Sequence, residues 1–170
     1  MITDRDLITI YYLLPDMRSE KNLKRIRTMA DYQFGKGSGD VLFEDDVSFQ
    51  FSKTKRVRQV LHQGERIATV RARDSMFTLS IKGASMLHSH LPYPGMRVVV
   101  NADAVPFVSA GKTAFAKHVI EIDPDLRVGE EVLVVDESDN LLATGQLLVT
   151  PQEVHVMEKG GAVDVRQGIL

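Results

Sequence analysis

The chain has 170 residues, 44% of them hydrophobic and 26% charged, with a formal net charge of −2; that suits one larger soluble globular domain or two small ones. No apolar run approaches the roughly 18 residues that span a bilayer, and the opening Met-Ile-Thr-Asp-Arg-Asp lacks the order of a secretory signal, so a cytoplasmic protein with no membrane partner is expected. Cysteine is absent, which excludes disulfides, thiol nucleophiles and cysteine-ligated zinc or iron–sulfur sites, and tryptophan is absent too.

Leu7 to Leu14 is a mostly apolar run that Pro15 terminates, compatible with helix or strand. Ser19 to Tyr32 reads as a helix with Ser19 as N-cap and Glu20 in its first turn. Leu23, Ile26 and Ala30 share one face of it, and Lys21, Lys24, Arg25 and Thr28 the other. Gly35, Gly37 and Gly39 then end it as a flexible terminus. The stretch Gly35-Lys-Gly-Ser-Gly39 lacks the order of a phosphate-binding P-loop.

A strand series follows. Val47, Phe49 and Phe51 alternate with Ser48 and Gln50. Ala68, Val70 and Ala72 alternate with Thr69, Arg71 and Arg73, and Phe77, Leu79 and Ile81 with Thr78 and Ser80. The last two segments join through Asp74-Ser75, short enough for a hairpin. Gly83 to His90 reads as a short helix. Two prolines and a glycine in Leu91-Pro-Tyr-Pro-Gly95 mark a boundary. The expected division is an N-terminal α+β domain over 1–93 and a second domain over 94–170.

Beyond the boundary the pattern predicts a strand at Met96–Val100, a short helix at Asp103–Val108 with Pro106 in its first turn, and a strand near Phe115–Glu121. A loop at Asp123-Pro-Asp125 and a hairpin, Glu131–Asp136 with Leu141–Val149, follow. A last strand covers Ala162–Arg166. Many short strands with one short helix suggest a compact β-barrel with closed edges.

Charge is divided unevenly. Residues 1–93 hold 15 Lys+Arg against 11 Asp+Glu, and residues 94–170 hold 6 against 12, so the halves carry +4 and −6. Any attraction for phosphate falls mostly on the first half; the same imbalance is compatible with the two halves docking on each other.

Several residues invite a binding role. Gly111 follows the short helix, where it serves either as an ordinary C-cap or as a side-chain-free place for a sugar–phosphate to approach, its amide donating to phosphate. Lys112, Lys117 and His118 stand around it and suit phosphate pairing or stacking. Phe115 suits stacking on an unpaired base, although a Phe between small residues more often fills a core. In the first half, Lys53, Lys55, Arg56 and Arg58 fall within six residues. A strand there would send Arg56 and Arg58 to one face and the lysines to the other. Arg71 and Arg73 share the outward face of a neighbouring strand. Such charge suits a phosphate track or plain solvated surface. His88-Ser-His90 has too few ligands for a metal, and no metal or other cofactor is expected.

Taken together, Arg97-Val-Val-Val-Asn101, Pro106-Phe-Val-Ser-Ala-Gly-Lys112, Phe115-Ala-Lys-His-Val119, Gly129-Glu-Glu-Val-Leu-Val-Val135, Leu142-Ala-Thr-Gly145 and Gly161-Ala-Val-Asp-Val-Arg166 resemble the PUA domain, an RNA-binding β-barrel. With Ala30-Asp-Tyr-Gln-Phe-Gly35 and Ser52-Lys-Thr-Lys-Arg-Val-Arg58, the whole resembles the C-terminal, α+β plus PUA, portion of archaeal tRNA-guanine (archaeosine) transglycosylase. The hairpin reads Asp74-Ser75 where Asp-Gly is expected in that family. The resemblance implies an RNA-binding accessory protein of tRNA modification, with tRNA and a separate catalytic transglycosylase subunit as partners. It also implies RNA contacts around Gly111. The family's catalytic barrel of roughly 250 residues and cysteine-rich zinc site have no counterpart here, so no catalytic residue is expected. Two other functions remain open: a ribosome-associated PUA-containing translation factor, and a protein-docking module that leaves RNA alone.

Overall fold

The computed structural model describes residues 17–170; the apolar run Leu7–Leu14 lies outside them. The chain is α+β, with a small α+β domain followed by a PUA-type barrel. Helix α1 (Met17–Phe34) begins two residues before Ser19, so that serine lies in the first turn and is not the N-cap. Ile26 and Ala30 are buried and Lys21, Lys24, Arg25 and Thr28 exposed, as the spacing of apolar residues requires. The glycines after it do not form a loose end. Gly35 and Gly37 take the left-handed φ values, 107° and 88°, that turn the chain back. Helix α2 (Ser38–Leu42) then packs so close to α1 that a Cβ on Gly39 would strike the backbone of Arg27.

Four antiparallel strands, β1 (Ser48–Phe51), β2 (Val57–His62), β3 (Glu65–Val70) and β4 (Phe77–Leu79), form a meander in sequential order. Helix α3 (Ile81–His90) follows, with the Ser80 hydroxyl accepting from the Gly83 amide at 3.1 Å. Gly83 lets the helix lie directly on the Ile67 carbonyl. The core beneath holds Ile26, Phe43, Val60, Ile67, Phe77 and Leu87, with Phe43 and Phe77 rings tilted at 5.2 Å.

The second sheet has six strands in the order β6-β10-β9-β8-β5-β7. They are β5 (Arg97–Val100), β6 (Ala114–Phe115), β7 (Val119–Ile122), β8 (Glu131–Val135), β9 (Leu141–Leu147) and β10 (Gly161–Gly168). All pairings are antiparallel except β5 with β8, which forces the long crossover from β5 to β8. The single strand expected near Phe115–Glu121 is two, because Ala116–His118 makes one 3₁₀ turn that carries the chain from one sheet edge to the other. The sheet thus curls into a nearly closed barrel. Helix α4 (Val105–Ser109) plugs one end. Helix α5 (Pro151–Val154), which the hydrophobic pattern does not signal, is held by a capping box of Thr150 and Glu153.

β8 joins the two cores. It is buried on both faces: Val132 and Val134 point into the barrel, while Leu133, fully buried, belongs to the first domain's core. Polar bonds reinforce the junction. The Glu131 carboxylate accepts from Arg166 at 2.7 Å, from the Thr144 hydroxyl at 3.1 Å and from the Leu79 amide at 3.3 Å. Burial still pushes the Glu131 carboxyl above the usual range, outweighing Arg166. Arg97, 2% exposed, donates to the carbonyls of His88, Leu91 and Gly95 at 2.8, 3.0 and 2.9 Å and pairs with Asp139 at 3.2 Å. At the far end of the chain, Gly168 passes against Ser109 with no space for a Cβ, and the Leu170 amide donates to the Ser109 carbonyl at 3.0 Å. The last strand therefore lies directly beneath α4.

Candidate nucleic-acid interface

Two surfaces gather the candidate residues. The first is the continuous segment from α4 through the 3₁₀ turn. Gly111 has φ +87° and open space where a Cβ would sit, so its backbone turn, and not packing, favours glycine there. Its amide already donates to the Val108 carbonyl at 2.9 Å, and that of Lys112 to the Phe107 carbonyl at 3.0 Å. The Gly111 amide, expected to donate to phosphate, is thus already partnered, and what the residue adds is an open, side-chain-free surface. Lys112 and Lys117 are exposed, and His118 is half-buried. Phe115 does not fill the core: its neighbours Ala114 and Ala116 do, and strand alternation turns the ring outward, 47% exposed. Phe107 on α4 is 64% exposed. Sequence reasoning passed over it, yet Pro106 starting the helix was the available signal, since one short turn cannot bury all of Val105, Phe107 and Val108.

The second surface lies on the first domain. Lys53 and Lys55 sit in the β1–β2 turn, Lys55 with φ 61°, and both are exposed. Arg56 precedes β2 and Arg58 lies on it. The strand β3 ends at Val70, so Arg71 closes the β3–β4 turn and Arg73 sits on its tip; the two do not share a strand face as expected. The side chains of Arg56, Arg58 and Arg71 converge with Arg25 of α1 on one cleft of about 160 Å³, whose floor is Ile26, Met29, Val57 and Val70. Lys53, Lys55 and Arg73 remain outside it. Arg58 is held by a 2.8 Å bond to the Val70 carbonyl, and Arg71 by two bonds to Asp74, at 3.1 and 2.9 Å. Burial works against the Asp74 anion, but the Met76 amide, Arg71 and Arg73 together hold its carboxyl below the ordinary value.

His88 and His90 part company: the His88 ring bonds to the Asp139 carbonyl at 2.7 Å, and His90 packs over Gly37. Among the described residues, Glu44, Asp46 and His62 bring three potential ligand atoms within 4.8 Å of one another. The His62 ring lies 3.2 Å from the Asp46 carboxylate, a hydrogen bond that accounts for that grouping. No described helix is long and apolar enough to cross a membrane.

Comparison with known proteins covers nearly the whole chain. Residues 24–94 match the family model described as patch-forming domain C2 of tRNA-guanine transglycosylase, and residues 96–169 match that of the PUA domain. Over 150 residues, 88% of this chain, it is 47% identical to tRNA-guanine(15) transglycosylase of Pyrococcus furiosus. It is 46% identical over 146 residues, 86% of this chain, to the same enzyme of Thermococcus kodakarensis. The chain spans about a quarter of the length of those relatives, 25% in each case. In fold it is similar to a hypothetical protein of Pyrococcus horikoshii, with a TM-score of 0.66 at 20% identity, covering 87% of this chain and 90% of that one.

Proposed function

This chain belongs to the PUA-domain proteins and, through both its domains, resembles the C-terminal portion of archaeal tRNA-guanine transglycosylase; from that premise we propose that it binds tRNA and serves archaeosine-type tRNA modification without carrying the catalytic step itself. The observation that carries this reading is the match, in one order and at nearly half identity, of both domains to an enzyme named for its action on tRNA. The chain's chemistry agrees. It has no cysteine for a zinc site, and most of the candidate RNA-contacting cations are exposed. The catalytic domain would then be carried by a separate partner chain.

In this reading the PUA surface grips an unpaired or terminal stretch of the tRNA. Lys112 and Lys117 pair with phosphates across the open face of Gly111. Phe115 and Phe107 supply stacking surface, and His118 a hydrogen bond. The cations of the first domain, Lys53, Lys55, Arg56, Arg58, Arg71 and Arg73, extend the phosphate track. A second reading, docking of the barrel on a basic protein, is favoured by the net −6 of residues 94–170.

Filter binding to bulk tRNA at 50 and 200 mM salt tests the proposal. Each phosphate contact should contribute about a 3.5-fold fall in affinity over that fourfold rise in salt. Lys112→Ala with Lys117→Ala should weaken binding and flatten the salt dependence by about two contacts. Absence of binding at 50 mM salt would overturn the RNA reading and leave the docking one.

A further inference from the structure

The cleft between α1 and the β1–β2 and β3–β4 turns is more than a patch of charge. Surface arginines that merely attract a phosphate backbone stand on polar, convex ground. Here Arg25, Arg56, Arg58 and Arg71 line one concave cleft together with the apolar residues Ile26, Met29, Val57 and Val70. Arg25, Arg56 and Arg58 are exposed and Arg71 is half-buried, so an anionic occupant can meet their charges while its apolar part covers the apolar lining. The rim is also prearranged. The Val70 carbonyl fixes Arg58 and the Asp74 carboxylate fixes Arg71, so neither must be immobilised on binding. Arg25 and Arg56 make no ion pair among the described residues and are exposed.

The enclosed part of the cleft, about 160 Å³, is well below the roughly 300–1,000 Å³ of drug-sized ligand sites and has room for one flat ring system, so the rest of an occupant must lie outside it among the exposed arginines. The occupant must also combine a planar or apolar body with an anion. The hydroxyls of Ser52, Thr54 and Ser75 at the rim add neutral donors and acceptors. Ser52 and Thr54 already bond to each other at 2.9 Å, which holds them in place. An acidic peptide satisfies the cations but leaves the floor empty, and inorganic phosphate does the same.

We infer that this cleft takes one unstacked nucleotide, its base against the apolar floor and the guanidinium planes and its phosphate between Arg25, Arg56 and Arg58. The inference rests on the tRNA-binding reading and deepens it, assigning the first domain a base-holding role as well as a charge-supplying one. Arginine suits the task because it pairs with phosphate in bidentate fashion and stacks on a base, which lysine does not. In a tRNA, the nucleotide would come from a loop or another place where bases are already unpaired, since extracting one from a duplex costs a few kcal/mol.

The test uses the full chain with its methionine methyl groups isotope-labelled, and follows the Met29 signal by NMR. Guanosine and uridine 5′-monophosphates, ribose 5-phosphate, inorganic phosphate and a short poly-glutamate are titrated separately. A nucleotide should shift the Met29 methyl and bind about tenfold tighter than ribose 5-phosphate, a gap of about 1.4 kcal/mol. Arg25→Ala with Arg56→Ala, both at exposed positions, should abolish the shift while thermal unfolding stays unchanged. Equal binding of ribose 5-phosphate and nucleotides, preference for poly-glutamate, or no Met29 response would each overturn the inference. The same double variant in the tRNA filter assay separates the two levels. Nucleotide binding with no affinity for tRNA sinks the functional reading alone, and tRNA binding untouched by the variant sinks the cleft alone.

Discussion

Replacing Arg97 by Met keeps the approximate length of the side chain and removes all of the donors that Arg97 brings to the junction of the two domains. The guanidinium is 2% exposed and makes three bonds to carbonyls, at 2.8, 2.9 and 3.0 Å, besides its 3.2 Å pairing with Asp139. An orphaned buried acceptor costs about 1–3 kcal/mol, and breaking a buried ion pair by removing one partner costs about 3–5 kcal/mol. These figures describe overlapping losses and do not add. The residues donating the carbonyls are only half-buried and Asp139 is 34% exposed, so water recovers part of the deficit. We therefore expect a loss of about 3–5 kcal/mol for Arg97→Met, equivalent to roughly 6–20 °C in Tm for a chain of this size. Arg97→Lys should fall between, near 1–3 kcal/mol, because three rotatable donors cannot span the fork that guanidinium fits. Urea unfolding followed by circular dichroism measures both. A Met variant within about 1 kcal/mol of the parent would refute the view that the guanidinium holds this junction, and a Lys variant as stable as the parent would refute the view that its geometry matters beyond its charge.

Leu133→Ala should cost about 3–5 kcal/mol in urea unfolding, as for other fully buried leucines, and hydrogen exchange should show added loss of protection in the first domain as well as in the barrel. Protection lost from the barrel alone would show that Leu133 does not couple them. The turn that joins β8 to β9 predicts an acid-sensitive term. Burial opposes the Asp136 anion, but Asn140 and the Ser138 amide outweigh it and hold its carboxyl below the ordinary 3.8. Its stabilisation is therefore present above about that pH and lost as pH falls through the lower folded value; Asp136→Asn should reduce the difference in Tm between pH 5 and pH 2.5, and an unchanged difference would refute the assignment. Glu131 works in the opposite sense, its raised carboxyl giving stabilisation that fades as pH climbs through the folded value. Phe107→Ala should weaken tRNA binding roughly 5- to 100-fold, the range for losing one base stack, with the salt dependence retained; full affinity in the filter assay would remove Phe107 from the interface.

Much of the second domain is legible in the sequence because its strands are short, valine-rich apolar runs and its turns use glycine, proline and aspartate. Legibility fails where the pattern is degenerate. Phe115 to Glu121 alternates well enough for one strand, and nothing local reveals that Ala116–His118 turns a corner. Ser19 looks like a cap, yet Met17 and Arg18 extend the helix past it. The Thr150–Glu153 capping box was readable by spacing alone, but the helix it starts is a single turn and carries no hydrophobic period. The cleft is a different matter. Arg25 and Arg56 lie on separate elements, and only the packing of α1 over the β1–β2 turn brings their charges to one floor. Likewise Leu133 reads as one more apolar residue of a valine-rich strand; its membership in the other domain's core is a property of the assembled fold.

The seating of β10 under α4 bears on how the protein can be handled. With Gly168 against Ser109 and the Leu170 amide bound to the same carbonyl, whatever is fused after Leu170 emerges a few residues from Gly111 and Lys112. A purification tag placed there would shade the PUA surface and lower measured RNA affinity for reasons unrelated to the protein's own chemistry, and an oligohistidine tag would add charge of its own below about pH 6.5. Immobilising the protein through Leu170 for binding measurements would bury the same surface against the support.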